Sequence, residues 1–172
     1  MDIKEAIRER HSVRRFTDKT IPIKLIEELI EYANLAPSAG NLQAREFIVI
    51  DDHKIKEELA IASLNQSFIV QAPVNIVVCA NLERISSYGK RGREVYALQD
   101  AAAAIEHILL LVTSYGLGAC WVGAFDENEV SNILNLPSYI RPMAIIPIGY
   151  PEGMIEKTSR IKPERLTHYN RW

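Results

Sequence analysis

The chain has 172 residues with 48% hydrophobic and 24% charged side chains, enough apolar material for one domain with a substantial core and too ordinary a balance for disorder. A formal net charge of −2 supplies no global field to recruit nucleic acid or an anionic membrane, so any anion site must be local. The start, MDIKEAIRER, has no apolar h-region and does not read as a signal peptide. The longest apolar stretch, Ala101 to Val112, is interrupted by Glu106 and His107 and reads as too short to span a bilayer. The two cysteines, Cys79 and Cys120, lie in apolar strand-like runs and read as reduced core residues. The four histidines are scattered without ligand spacing, so no metal site is expected.

In chain order, Asp2 caps a short helix whose Ile3, Ala6 and Ile7 share a face. A second helix starts with Pro22 as its first residue and runs to about Ala36, with Ile26, Leu29, Ile30 and Ala33 as its apolar stripe. Residues Pro37 to Asn41 form a tight loop. Phe47 to Ile50 reads as a buried strand, and Asp51 or Asp52 caps the helix that continues to about Ala62. Val74 to Cys79 is a second strand, and residues 82–94 read as an irregular excursion.

A long helix from Glu94 to Tyr115, apolar on nearly all sides, needs cover all round and is stopped by Gly116 and Gly118. Cys120 to Phe125 is strand or extended chain, and Asp126 with Glu129 caps a helix to Leu134. Met143 to Ile148 is a third clear strand. The tail from about residue 151 to 172 is too polar and proline-punctuated for the core and ends in Tyr169 and Trp172. The sum is one mixed α and β domain over residues 1–172; element order alone leaves a doubly wound sheet open.

Residues 116–118, Gly-Leu-Gly, fail as a dinucleotide fingerprint. Trp121 stands where the next glycine belongs, and the order is helix-then-strand. A helix cap is the better reading. Arg8, Arg10, His11, Arg14 and Arg15 place five basic side chains within eight residues. If the segment is extended, Arg10, Ser12 and Arg14 project to one side, and two guanidiniums with a hydroxyl suit phosphate. A solvated basic turn is the equal alternative. Ser38 and Asn41 are most simply turn formers, Gln43 a loop hydrogen-bonder, and Asn65 and Gln66 stay ambiguous.

Six segments in register give a resemblance: RHSVRRF at 10–16, APSAGNLQAREFIVI at 36–50, QAPVNIVVCAN, YALQDAAAAIEHILL, GLGACWVGAFDE and RPMAIIPIGYP. Together with the tail KTSRIKPERLTHYNRW they resemble the nitroreductase family, in its short single-domain members, over nearly the whole chain. That resemblance implies an α+β sandwich: a small, mostly antiparallel sheet flanked by helices, with a long central buried helix. It implies FMN as cofactor, NADH or NADPH as donor, and a cytoplasmic homodimer with FMN sites at the interface. Hydride would pass to flavin N5 and on to a nitro, quinone or other small conjugated acceptor in ping-pong fashion, with no catalytic side chain, no nucleic acid and no membrane.

By position, the resemblance assigns Arg10 to the FMN phosphate and Arg14 to the N1–C2=O edge, with Ser12 beside them. Ser38 and Asn41 would reach the partner subunit's flavin, and Asn65 would sit at the ring edge. Trp121, Val122 and Gly123 would run along the ring, and Arg160 would pair with the phosphate. His11, Pro37, Gln43 and Gln66 complete the implied cofactor-binding set. Where many relatives have Gln-Pro-Trp, this chain has Gln43-Ala44-Arg45, losing a rigid proline and an aromatic. In so short a chain, residues 82–96 would cover the flavin's open face. Other readings are a non-catalytic flavin carrier or sensor, a same-fold enzyme of different flavin chemistry (dehalogenation, ring oxidation, flavin fragmentation), and a phosphate- or RNA-binding module. The last is disfavoured by net charge and by basic residues that do not interleave with aromatics.

Overall fold

A computed structural model describes residues 1–153 and 158–172. The elements in order are α1 (Ile3–Glu9), α2 (Ile23–Asn34), β1 (Arg45–Ile50), α3 (His53–Ala62), α4 (Phe68–Gln71) and β2 (Val74–Asn81). They continue with α5 (Gly89–Arg91, a single turn), α6 (Ala97–Ser114), β3 (Gly118–Ala119), α7 (Glu127–Ile133) and β4 (Ile140–Gly149). The strands form one sheet in the order β1-β2-β4-β3. Every pairing in it is antiparallel, which excludes the doubly wound alternative and gives the α+β sandwich.

β2 is buried along its whole length, and its two-residue period divides the core. Ile76 and Val78 face α2 and α6, together with Ala144, Ile146 and Ile148 of β4. Val77 and Cys79 face the other way, with Ile145, against Leu59 of α3 and Phe68 and Ile69 of α4. The helix stripe in α2 behaves as its spacing requires: Ile26, Leu29 and Ala33 are buried and Ile30 is half-buried.

Caps are local chemistry and follow the sequence closely. The carboxylates of Asp2, Asp52 and Asp126 accept from amides at the first turns of α1, α3 and α7. Gly116, at φ 70°, follows α6 and lets Leu117 N–H return to the Val112 carbonyl, so Gly116 is a helix stop.

Several boundaries differ. Pro22 is the N-cap of α2, with Ile23 its first residue, and the helix ends at Asn34. β1 is an edge strand, so Phe47 and Ile48 are only half-buried and Val49 is exposed. On α1 only Ala6 is buried; Ile3 and Ile7 face outward. Residues 82–94 are not irregular. A 3₁₀ turn (Ser86–Tyr88) is followed, across a backbone break at Gly89 (φ 55°), by α5 and a π turn (Gly92–Tyr96) that lead into α6. Two glycines disguised this run. One of them, Gly92, has its Cα so close to the Ile85 carbonyl that a Cβ would meet the oxygen at 2.7 Å.

The continuous helical run, Ser86–Ser114, is 29 residues and apolar enough to cross a bilayer by length and composition, longer than the sequence suggested. Its α6 part instead packs on α2 and β2, with Ala101, Ala104, Ile105 and Ile108 in the core. The remaining sides of α6 are only half-covered, at Ala102, Ala103, Leu110 and Leu111. Cys120 to Phe125, expected as strand or extended chain, is extended chain with one bridge, Val122 to Ile145, and the short strand β3 lies just before it.

Both cysteines are free and buried. Burial, with a smaller push from Glu46, raises the Cys79 thiol to about 12 from its ordinary 9.0. A raised folded value means that this contribution is complete below about pH 9 and lost as pH climbs toward about 12. Urea unfolding of Cys79→Ala should therefore lose less stability between pH 8 and 10.5 than wild type does, and identical losses would refute it.

Candidate functional site

The basic segment 10–16 is extended because it is laid against the sheet's β3 edge. Ser12 bridges Ala119 in parallel, Val13 N–H donates to the Ala119 carbonyl at 2.9 Å, and Thr17 N–H donates to the Tyr150 carbonyl at 2.9 Å. Val13 and Phe16 turn into the core, while Ser12 and Arg14 turn outward. Gly118 permits the seam, since a Cβ there would come within 2.5 Å of Val13 Cγ2.

Arg10, Ser12 and Arg14 all lie near enough to Cys120 to act on its thiol. Burial raises this thiol, while Arg14, Ser12 and Arg10 all act in the opposite direction. Arg10 and His11 also line a pocket of about 400 Å³ with Ile7, Arg8, Glu106, Thr158 and Arg160. His11 Nδ1 meets the Glu9 carbonyl at 2.6 Å, and its Nε2 is buried with no hydrogen-bond partner among the described residues. Arg160 donates to Thr158 Oγ1 at 2.6 Å and stands in the same pocket. Several donors thus converge on one space, with one carboxylate at its wall. Glu106 and Thr158 were not singled out in the sequence, and nothing in their local pattern could have marked them.

Trp121, Val122 and Gly123 alternate as an extended strip. Val122 exchanges both backbone hydrogen bonds with Ile145 and is buried. Trp121 and Gly123 face out, and among the described residues their amides donate to no protein acceptor. Gly123 has open space where a side chain would be. Gln66 braces this strip by donating to the Ala124 carbonyl at 3.2 Å. Asn65 is exposed at φ 58°, at the adjacent turn.

The Pro37–Gln43 loop lies elsewhere. Ser38 Oγ accepts from Gln43 N–H at 3.0 Å, and Gln43 Nε2 donates to Asn41 Oδ1 at 2.8 Å, so these residues first build their own turn. Ala39 N–H donates to Asp100 Oδ1 at 2.9 Å, anchoring the loop to the first turn of α6. The seam at Gly118–Ala119 follows the last turn. At a helical rise of about 1.5 Å per residue, Asp100 and Gly116 are separated by roughly 24 Å. Within one chain the loop and the cationic seam are therefore tethered to opposite ends of α6.

The 86–96 turns cover this loop. Gly40, at φ 56°, is packed so closely that a Cβ would meet the Tyr88 hydroxyl at 2.5 Å. Tyr88 meets Tyr96 edge-on at 5.4 Å, and Arg91 Nε donates to the Tyr96 hydroxyl at 3.0 Å.

Comparison with known proteins agrees with this architecture. The Nitroreductase family model matches residues 7–66 and 57–150, and the chain belongs to that family. It is 32% identical over 178 residues to a Methanothermobacter thermautotrophicus protein provisionally called an NADH dehydrogenase/NAD(P)H nitroreductase, covering 100% of this chain and 88% of that one. It is 26% identical over 180 residues to FMN reductase (NADPH) of Bacillus subtilis, covering 96% and 72% of the two chains. The crystal structure of a nitroreductase family protein from Clostridium novyi NT superposes with a TM-score of 0.81 at 35% identity, covering 88% of this chain and 86% of that one.

Gly40→Ala should destabilise the protein by about 1–2 kcal/mol through the left-handed backbone alone, with the Tyr88 clash added. Tyr88→Phe in that background should recover the clash. Strict additivity of the two changes in thermal unfolding would show that the close approach carries no energy.

Proposed function

We propose that this chain is an FMN-dependent oxidoreductase that takes reducing equivalents from NADH or NADPH and passes them to a small conjugated acceptor such as a quinone or nitro compound. The observation that carries this is one pocket lined together by Arg8, Arg10, His11 and Arg160, with His11 Nε2 buried and unpartnered among the described residues. Guanidinium forks beside an unsatisfied imidazole nitrogen suit a dianionic phosphate. The residues present fit FMN. Arg10, His11 and Arg160 would hold its phosphate, and Ser12 and Arg14 its polar ring edge. The outward amides of Trp121 and Gly123, with Asn65 and Gln66 beside them, would face the ring.

When bound, the flavin supplies the hydride chemistry. The protein's own part is to bind, orient and polarise: Arg14 sets positive charge at one ring edge, and the backbone strip supplies fixed donors at the other. No side chain is needed as a nucleophile. The names of relatives as NAD(P)H nitroreductase and FMN reductase support the donor and cofactor.

The site is completed by a second copy. Pro37, Ser38, Asn41 and Gln43 are anchored at the first turn of α6, whereas the Ser12–Arg14 seam follows its last turn, and they would reach the partner's flavin, with the Tyr88–Tyr96 turns covering it. Supporting this are surfaces that a subunit interface uses. Ile3, Ile7 and Leu35 are exposed, and a groove of about 350 Å³ is lined by Ile3, Ala6, Tyr32, Leu110 and Leu111. The free edge of β1 and a tail whose Tyr169 and Trp172 lie open offer further contacts. The stretch 151–172 would wrap the partner, although its residues 154–157 lie outside those described. The same reading makes the protein soluble and cytoplasmic, without a nucleic-acid or membrane partner.

Adding FMN to the purified protein should quench flavin fluorescence and give a yellow complex that oxidises NADH or NADPH with menadione or nitrofurazone. A yellow complex without turnover would make it a carrier; unquenched FMN would end the proposal. Arg10→Ala should raise the FMN dissociation constant roughly 10- to 100-fold, since a hydrogen bond to a charged group contributes about 1.5–3 kcal/mol. Leu35→Glu should yield monomers that release flavin, and a monomer with full flavin occupancy would contradict the shared site.

A further inference from the structure

Arg45, just beyond the loop, forms a second device. Arg45 is only 2% exposed, and a buried guanidinium is tolerated only when its donors are met. Nη2 donates to the carbonyls of Asn34 at 2.8 Å and Ala36 at 2.7 Å. Nη1 makes longer contacts to the carbonyls of Pro37 at 3.3 Å and Asp100 at 3.4 Å. One side chain thus gathers the end of α2, the start of the loop and the first turn of α6.

Asp100 is 4% exposed and answers from the opposite side, its Oδ1 accepting from Ala39 N–H at 2.9 Å. Burial lowers the Arg45 pKa, and the Asp100 charge opposes that shift, so the two groups compensate each other across the loop. Arg45 Nε and Asp100 Oδ2 are buried with no partner among the described residues, so the pair's hydrogen bonding is incomplete.

What the pair holds is a backbone that does not hold itself. Gly40, Asn41 and Gln43 all have positive φ, at 56°, 55° and 47°. Two of these are non-glycine residues in a region that L side chains rarely occupy, and such a conformation persists only where its surroundings over-determine it. Further tethers come from Arg84, whose Nη1 donates to the Gln43 carbonyl at 2.7 Å, and from Asn81 N–H to the Ala44 carbonyl at 3.0 Å.

We infer that Arg45 and Asp100 are positioning residues: buried together, they set the height at which the Ser38–Gln43 loop meets the partner subunit's flavin, and so govern flavin affinity and ring environment. This rests on the cross-subunit site proposed above. Lysine cannot replace Arg45, because a compact ammonium lacks the planar fork that reaches separate carbonyls at once.

The test is FMN titration of Arg45→Lys and Asp100→Asn beside wild type and Leu59→Val. Leu59 lies in the opposite core and serves as a stability control. Arg45→Lys should raise the FMN dissociation constant at least about tenfold and shift the visible band of the bound flavin at saturation. Asp100→Asn should shift both in the same direction by less, and it carries the test should Arg45→Lys not fold. Leu59→Val should lower the melting temperature and leave affinity and spectrum unchanged. If wild type binds FMN and both loop variants match it in affinity and saturated spectrum, the positioning role is overturned while the FMN reading stands. If wild type itself does not bind FMN, the reading falls and takes this inference with it.

Discussion

The site depends on one constraint, which is that residues 10–16 must be extended. In a helix, successive side chains fan out at about 100° and these cations would point around the axis. Laid beside β3, the segment alternates, with Val13 sent into the core and Ser12 and Arg14 sent out. Backbone bonds from Val13 to Ala119, from Thr17 to Tyr150 and from Glu152 to Arg15 hold it there. Two glycines make room: a Cβ on Gly118 would strike Val13, and one on Gly149 would strike Phe16 at 2.8 Å. Apolar packing thus fixes a row of charges that have little reason of their own to stay together.

α6 is the other organising feature, serving as core element and spacer at once. One face closes the core against β2 and α2, and its half-covered remainder is the surface a second subunit would use. Its first turn holds the Pro37–Gln43 loop through Asp100, and the seam follows its last turn. A rigid helix between the two makes it natural for a shared site to be assembled from two copies.

Much of this was legible beforehand because it is local. The capping carboxylates of Asp2, Asp52 and Asp126, the glycine stop at 116 and the α2 stripe follow from short-range hydrogen bonding and the 3.6-residue period. The errors share a cause as well. Phe47–Ile50 is as apolar as β2, yet only its place at the sheet edge decides that Val49 is exposed. Gly89 and Gly92 advertise irregular chain; Gly89 does break the backbone at φ 55°, but a helical turn runs through Gly92, which packs against Ile85. Nothing in the local pattern marks Arg45 as interior, and it is buried with four main-chain carbonyls around it.

By itself the sequence determined the element types, their caps and the residue kinds available for holding a phosphate, since these depend on neighbours a few positions away. The six ordered segments also determined the family. Tertiary structure alone decided that Arg10 and His11 line one pocket with Arg160, some 150 positions later, that Arg45 is interior, and that the loop and the cationic seam are held apart. Those are contacts between distant parts of the chain, set by which faces must be buried together, and no local pattern encodes them.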